Sequence, residues 1–286
     1  MKLYNIECGN FKLDGGAMFG VVPKSLWQKT NSADGNNLIE MATRSLLIED
    51  GNELTLVDCG LGNKQDDKFL NHYHLWGNYN LDSSLKANGF HRDDITNVFL
   101  THLHFDHCGG AIQRNTANNL LEPAFKNAKF WSNQSHWEWA INPNSRVKAS
   151  FLPDNILPIK ESGQLNYISL ENGKDNYHSS SLGFDFITVD GHTEKQMLPV
   201  VKYKDKTIVF MADLIPTVGH IPLVYLMGYD TRPLITMKEK LDFLTRAVKE
   251  NYYLFFEHDA HNQICTLKNT EKGIRLDKTY QLKDIL

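Results

Sequence analysis

The ten residues THLHFDHCGG place His102, His104, Asp106 and His107 within six positions, directly after the apolar run ITNVFL. On an extended strand end, residues two apart share a face, so the imidazoles of His102 and His104 can meet at one ion. A following turn can return Asp106 and His107 to the same cavity, and Gly109-Gly110 lets the backbone fold tightly behind them. A lone histidine in such a loop reads as a satisfied polar residue, but four metal-capable groups at one strand end read as a metal site. Cys108, beside them, reads as a small packed thiol rather than a ligand.

Three later segments end apolar strands with the same residue types. DGHTEKQ supplies His192 after GFDFITVD, FMADL supplies Asp213, and FFEHDAH supplies His258. Singly these read rather as a turn histidine, a capping aspartate and a core histidine than as ligands; their joint occurrence is the signal. His261 is a second candidate in the last segment. Asp58, at the end of LTLVDCG, either orients a ligand histidine or caps the turn at Gly60-Leu61-Gly62, and both readings stay open.

HxHxDH, preceded by Asp58-Cys59-Gly60 and followed in order by His192, Asp213 and His258, resembles the signature of the metallo-β-lactamase superfamily over most of the chain. The resemblance implies an α/β fold, a four-layered αβ/βα sandwich of two mixed β-sheets flanked by helices, with the site at one edge between the sheets. It also implies two zinc ions, with manganese or iron as substitutes. His102, His104 and His192 would hold the first, Asp106, His107 and His258 the second, and Asp213 would bridge them. A hydroxide shared by the ions would attack an ester, lactone or related bond of a small molecule, with Asp106 and Asp213 as the catalytic carboxylates. The nearest branches are lactonases, phosphotriesterases and glyoxalase II.

The chain also departs from the family pattern. GHTEKQ stands where GHTPGH is usual, which weakens kinship to glyoxalase II, and ADLIPTVGH lacks the tyrosine that follows the bridging aspartate in the best-known lactonases. Leaving-group protonation then falls to Tyr225, Tyr229 or His220. Histidine at position 104, where diiron flavoproteins carry a carboxylate, favours zinc and hydrolysis. A nuclease, an iron-dependent sulfur dioxygenase and a non-catalytic ligand-binding member of the same fold remain the alternatives.

Composition bounds the rest. With 41% hydrophobic and 22% charged residues the chain of 286 reads as globular, and its net charge of -4 offers no field for a polyanion, so a small-molecule substrate is expected and nucleic acid is not. Four cysteines without CxxC spacing read as free thiols, and no run approaches the ~18 apolar residues of a membrane span. The expectation is a cytoplasmic protein that needs no membrane, folded as one domain over 1–286, with homodimer formation left open.

The elements that must position the site are strands and a few helices. Hairpins are expected over MATRSLLIE and NELTLVD about Asp50-Gly51, and over MLPVVKYKDKTIVFMAD about Lys204-Asp205-Lys206. ITNVFLTHLH, GFDFITVD and YYLFFEH read as further strands. TMKEKLDFLTRAVKE reads as a helix with a Thr236/Glu239 capping box and an apolar face of Leu241, Leu244 and Val248, and SSLKANG as a shorter one ending at Gly89. Residues 62–80 and 115–160 read as loops and short helices. His72, His74, His91, His136, His178 and His220 read mostly as surface or packing residues. Trp131, Trp137 and Trp139 read as core or pocket wall. DGGAMFG resembles a mobile substrate loop, and Phe19, Trp27, Phe105, Ile215, Ile221 and Leu223 form the apolar set expected to suit neutral acyl or aryl groups.

Overall fold

Asp50 and Glu53 pair across a two-residue turn in which Gly51 takes a φ of 61°, a conformation open to glycine at no steric cost. This is the first expected hairpin. The computed structural model describes residues 1–170 and 176–286. The chain divides into two compact units, Met1–Gly9 with Thr43–Gly183, and Asn10–Ala42 with Phe184–Leu286. Two of the crossings fall inside continuous strands, which is why no linker composition marks them.

The first unit is organised by a sheet in the order β1 (Lys2–Asp14), β2 (Leu38–Asp50), β3 (Glu53–Val57), β4 (Asn97–Phe99), β5 (Lys129–Ser132) and β6 (Leu165–Tyr167). From β3 onward the strands are parallel, and Val57, Phe99 and Trp131 lie abreast in successive registers. The residues that follow them, Asp58, Leu100 onward and Asn133 among them, therefore leave the sheet at one edge, the carboxyl ends where open α/β sheets place their sites. Leu47, Leu56, Val98 and Phe130 fill the core at 0% exposure. Helix α1 (Leu81–Ala87) is capped by Asn80, whose side chain accepts from Ser83 N, and stops before Gly89 at φ 86°. The 115–160 stretch is more regular than its sequence suggested. It holds β5 and two helices labelled below, and Trp137 belongs to the core.

The one-turn α2 (Phe105–Cys108) follows β4, while α3 (Gln134–Ile141) and α4 (Pro153–Glu161) follow β5. Asn133 caps α3 by accepting from His136 N.

The second unit orders its strands β7 (Asp185–Val189), β8 (Gln196–Tyr203), β9 (Lys206–Phe210), β10 (Tyr253–Phe255), β11 (Ile264–Thr270) and β12 (Gly273–Tyr280). The expected β8–β9 hairpin is present, with Lys204 and Asp205 in the turn and Lys206 already paired with Tyr203. β9 and β10 run parallel with Phe210 opposite Phe255. Asp213 and His258 each come three residues after those partners, so register alone brings them to the same edge.

Helix α5 (Pro233–Lys249) starts three residues before the expected cap, because Pro233 at its first position already carries a helical φ and needs no N–H partner. Thr236 is buried inside the helix and Glu239 bonds elsewhere, so the capping box does not form. The buried face is Thr236, Lys240, Phe243, Leu244 and Ala247, while Leu241 is 46% exposed. Among the described residues no helix is long and apolar enough to cross a membrane.

Candidate metal centre

In the first unit, β4 ends at Phe99 and the chain continues extended through His102 to His104, which stands before the first turn of α2. His102 Nε2 and His104 Nδ1 are 3.0 Å apart, and the His102 and His107 rings are centred 3.9 Å apart. Asp106 Oδ2 lies 3.9 Å from His107 Nε2. His102, His104, Asp106 and His107 are all buried, so the structure brings all four together.

Asp58 settles in favour of the orienting role. It is fully buried, its Oδ1 accepts from Thr101 N at 2.8 Å, and its Oδ2 accepts from Thr101 Oγ1 at 2.6 Å and lies 3.1 Å from His107 Nδ1. A hydroxyl has one proton, and Asp58 takes it. Thr101 Oγ1 must therefore accept from His102 Nδ1, 3.1 Å away. One carboxylate thus fixes the Nδ1–H tautomer of His107 directly and of His102 through Thr101, so that Nε2 is the lone-pair nitrogen of each ring.

One support is not legible in the sequence, and a second bears out the expectation for Gly109-Gly110. His136, read as surface or packing, is fully buried, and its Nε2 accepts from Leu103 N at 2.8 Å, pinning the backbone between the two histidines. Gly109 and Gly110 are required by close approach: a Cβ on Gly109 would lie 1.9 Å from Leu61 O, and one on Gly110 2.1 Å from Cys59 O. Gly109 has a φ of −58°, so handedness is not the reason. The Cys108 thiol donates to Leu103 O, and burial pushes its pKa up to about 12, as suits a packed thiol.

In the second unit, Asp213 faces two imidazoles. Its Oδ2 is 3.1 Å from His192 Nε2 and its Oδ1 is 3.0 Å from His258 Nε2. Each ring is tied back through its other nitrogen, His192 Nδ1 to Asp230 Oδ1 at 3.1 Å and His258 Nδ1 to Ala42 O at 2.9 Å. Burial alone would lower the His192 pKa, but Asp213 and Asp230 outweigh it and hold it up to about 9. His261 is turned away, its Nε2 3.3 Å from Glu40 and its side chain 65% exposed, so His258 is the buried histidine of that segment. Asp259, also unread in the sequence, accepts from Val218, His261 and Asn262 N–H groups and fixes the loop after β10.

His220 is not a proton donor. It is buried, with Nδ1 2.8 Å from Thr217 Oγ1 and Nε2 2.8 Å from Met18 O, and its ring stacks on Phe19 at 4.2 Å. Burial drives its pKa down to about 3, so it is neutral and its single N–H is given to Met18 O. Phe19, Trp27, Ile215 and Ile221 are each no more than 1% exposed, so four of the six expected pocket residues are packing residues. DGGAMFG forms a short helix, Gly15–Phe19, capped by Asp14.

The donor set fits divalent metal. In the first unit His102 with His104, and Asp106 with His107, offer ligand atoms within 4.8 Å of each other, as His192 and Asp213 do in the second. Imidazole and carboxylate donors with tied-back rings are the ligands zinc and related ions take.

Residues 39–258 match the metallo-β-lactamase superfamily, and the chain belongs to that family and has its fold, mixed sheets flanked by helices. Among solved structures it is similar to a probable metal-dependent hydrolase from Staphylococcus aureus, with 26% identity, 97% of this chain and 95% of the other covered, and a TM-score of 0.85. It is also similar in fold to AidC, a dizinc quorum-quenching lactonase solved with the product of its reaction, at 22% identity, 98% and 95% coverage and a TM-score of 0.78. A third is the hydrolase AbOPH, at 18% identity, 98% and 94% coverage and a TM-score of 0.76. Comparison with curated protein sequences gives no match.

Proposed function

We propose that this protein is a binuclear metal-dependent hydrolase, with zinc as its metal, acting on a small and mostly uncharged ester or lactone. The observation that carries the reading is Asp213, whose two oxygens face the Nε2 atoms of two different imidazoles that are each tied back through Nδ1. That is the arrangement a carboxylate needs to serve two ions at once. By family role, His102, His104 and His192 would hold one ion and Asp106, His107 and His258 the other, with Asp213 shared. Bound there, divalent ions supply Lewis acidity, acidifying water and polarising the scissile bond. The chain's own groups do the rest. Asp58, Asp230 and Ala42 O keep the imidazoles in one tautomer, Asp213 sets the spacing, and Asp106 orients the attacking water and takes its proton.

The substrate class is supported by the net charge of -4, which gives an anionic or polymeric substrate no attraction, and by the similarity in fold to a lactonase and to AbOPH. With the expected pocket residues largely in the core, it rests less on the apolar set than the sequence suggested. A cytoplasmic protein acting without nucleic acid or membrane completes the proposal.

The test is metal content together with activity. Two equivalents of zinc per chain are expected, and Asp213→Ala should lower both occupancy and turnover, the latter by roughly a hundredfold or more. His72→Ala, at an exposed histidine, should change neither. One equivalent of iron, or equal activity in both variants, overturns the reading. For substrate class, kcat/KM is compared between a neutral lactone or aryl ester and an anionic glutathione thioester at matched zinc; a tenfold preference for the thioester rejects the neutral-substrate proposal.

A further inference from the structure

The loop carrying His192 has no proline to stiffen it, and Gly191 within it packs so closely on α5 that a Cβ would lie 2.3 Å from Thr236 N. Its rigidity comes from α5 and the residues just before it. Glu239 accepts from Asp190 N at 2.7 Å with one oxygen and from Gly191 N at 3.0 Å with the other. Arg232 donates through one amino group to Asp190 O at 2.6 Å and through the other to Glu194 at 2.7 Å. The backbone joins in, with Arg232 N donating to Gly191 O at 2.8 Å and Thr231 N to His192 O at 3.2 Å. Within the loop, Lys195 pairs with Asp190 at 2.7 Å. Glu194 and Lys195 are two of the residues at which this loop departs from the family pattern, and each is engaged in holding it.

We propose that Glu239 and Arg232 are positioning residues that clamp the 190–195 loop and so set the direction in which His192 presents Nε2. This rests on the reading of His192 as a metal ligand. The clamp holds the backbone before His192, at Asp190 and Gly191, and the Glu194 side chain after it, while Asp230 accepts from the ring. Glu239 carries its carboxylate into a partly desolvated position, with a pKa raised by burial against the pull of the two N–H groups it accepts from. Glutamine at 239 keeps the shape but has one oxygen for two N–H donors, so its amino group opposes one of them. Lysine at 232 keeps the charge but lacks the planar fork that reaches Asp190 O and Glu194 together.

The test is cobalt(II) titration of the chelator-stripped full chain, followed by visible absorption, with the urea midpoint measured alongside. Glu239→Gln and Arg232→Lys should each weaken one of two cobalt equivalents by roughly tenfold to a hundredfold and leave the other within twofold. A residue that only supports the fold would lower the midpoint and weaken both equivalents alike, and that result overturns the proposal, as does unchanged affinity in both variants. Should Glu239→Gln fail to fold, Arg232→Lys decides by the same criteria. His192→Ala separates the two levels of argument. If it binds cobalt as the wild type does, the ligand reading of His192 falls; if it loses one equivalent while the clamp variants lose none, only the clamp falls.

Discussion

Replacing Asp58 by asparagine removes one negative oxygen from a buried junction and almost nothing else. Asp58 sits at a φ of 55°, a left-handed conformation that asparagine adopts at least as readily, so the backbone has no reason to move. If the amide oxygen keeps the Thr101 N–H, the amino group must point at Thr101 Oγ1 and His107 Nδ1. It can donate to the threonine oxygen, but it opposes the His107 N–H, and the threonine proton loses its acceptor. Two hydrogen bonds to a buried charged acceptor, each worth about 1.5–3 kcal/mol, are exchanged for one neutral bond, for a net loss of about 2–4 kcal/mol in the stability of the metal-free chain. His107 is driven toward the wrong tautomer and His102 loses its fixed one, so zinc affinity should fall by roughly tenfold to a hundredfold. Urea unfolding of the stripped protein gives the first quantity, and zinc competition against a chromophoric chelator gives the second. A variant that is destabilised but binds zinc as the wild type does would refute the orientation argument, and one unchanged in both would refute the hydrogen-bond assignment itself.

Gly109→Ala should be severely destabilising, by about 3 kcal/mol or more, because its Cβ would meet the Leu61 carbonyl backbone rather than a yielding side chain; a urea midpoint close to wild type would show that this crossing has slack. For His220 the folded pKa of about 3 lies below the ordinary 6.5, so the unfolded chain takes the proton first. Its contribution to stability is then present above pH 6.5 and lost as the pH falls from there toward 3. Between pH 7 and pH 4.5 His220→Asn should show a shallower loss of stability than wild type, by about 2–3 kcal/mol, and parallel stability curves would contradict the assignment.

What the sequence made legible is what it encodes locally. His102, His104, Asp106 and His107 follow one strand within a few residues, and β2–β3 and β8–β9 are joined by two-residue turns, so spacing alone reaches them. The supports were not legible because their partners are remote: His136 acts 33 residues from Leu103, Asp230 38 from His192, and Glu239 49 from Asp190. Glu239 was misread for the same reason, since a glutamate three residues after a threonine looks like a cap until Pro233 is seen to start the helix and the 190–191 backbone to claim the carboxylate. β1, β11 and β12 went unread because their burial does not alternate. β1 holds Leu3, Ile6 and Phe11 at spacings of three and five, and much of the β11–β12 hairpin is half-buried or exposed.

Burial explains why these imidazoles come with partners at all. A buried ring nitrogen without a hydrogen bond costs stability, and four of these rings have theirs satisfied through one nitrogen within their own unit. His107 and His192 use a carboxylate, His102 a threonine backed by the same carboxylate as His107, and His258 a backbone carbonyl. The same bond that meets the cost of burial also selects the tautomer, so folding and metal binding place one demand on these residues rather than two competing ones. Asp213 differs in kind. Both of its oxygens point at ring nitrogens whose rings are already tied back on the other side, so it is the one carboxylate here placed between imidazoles rather than behind one. Substitutions at the groups behind the rings should therefore lower stability and metal affinity together.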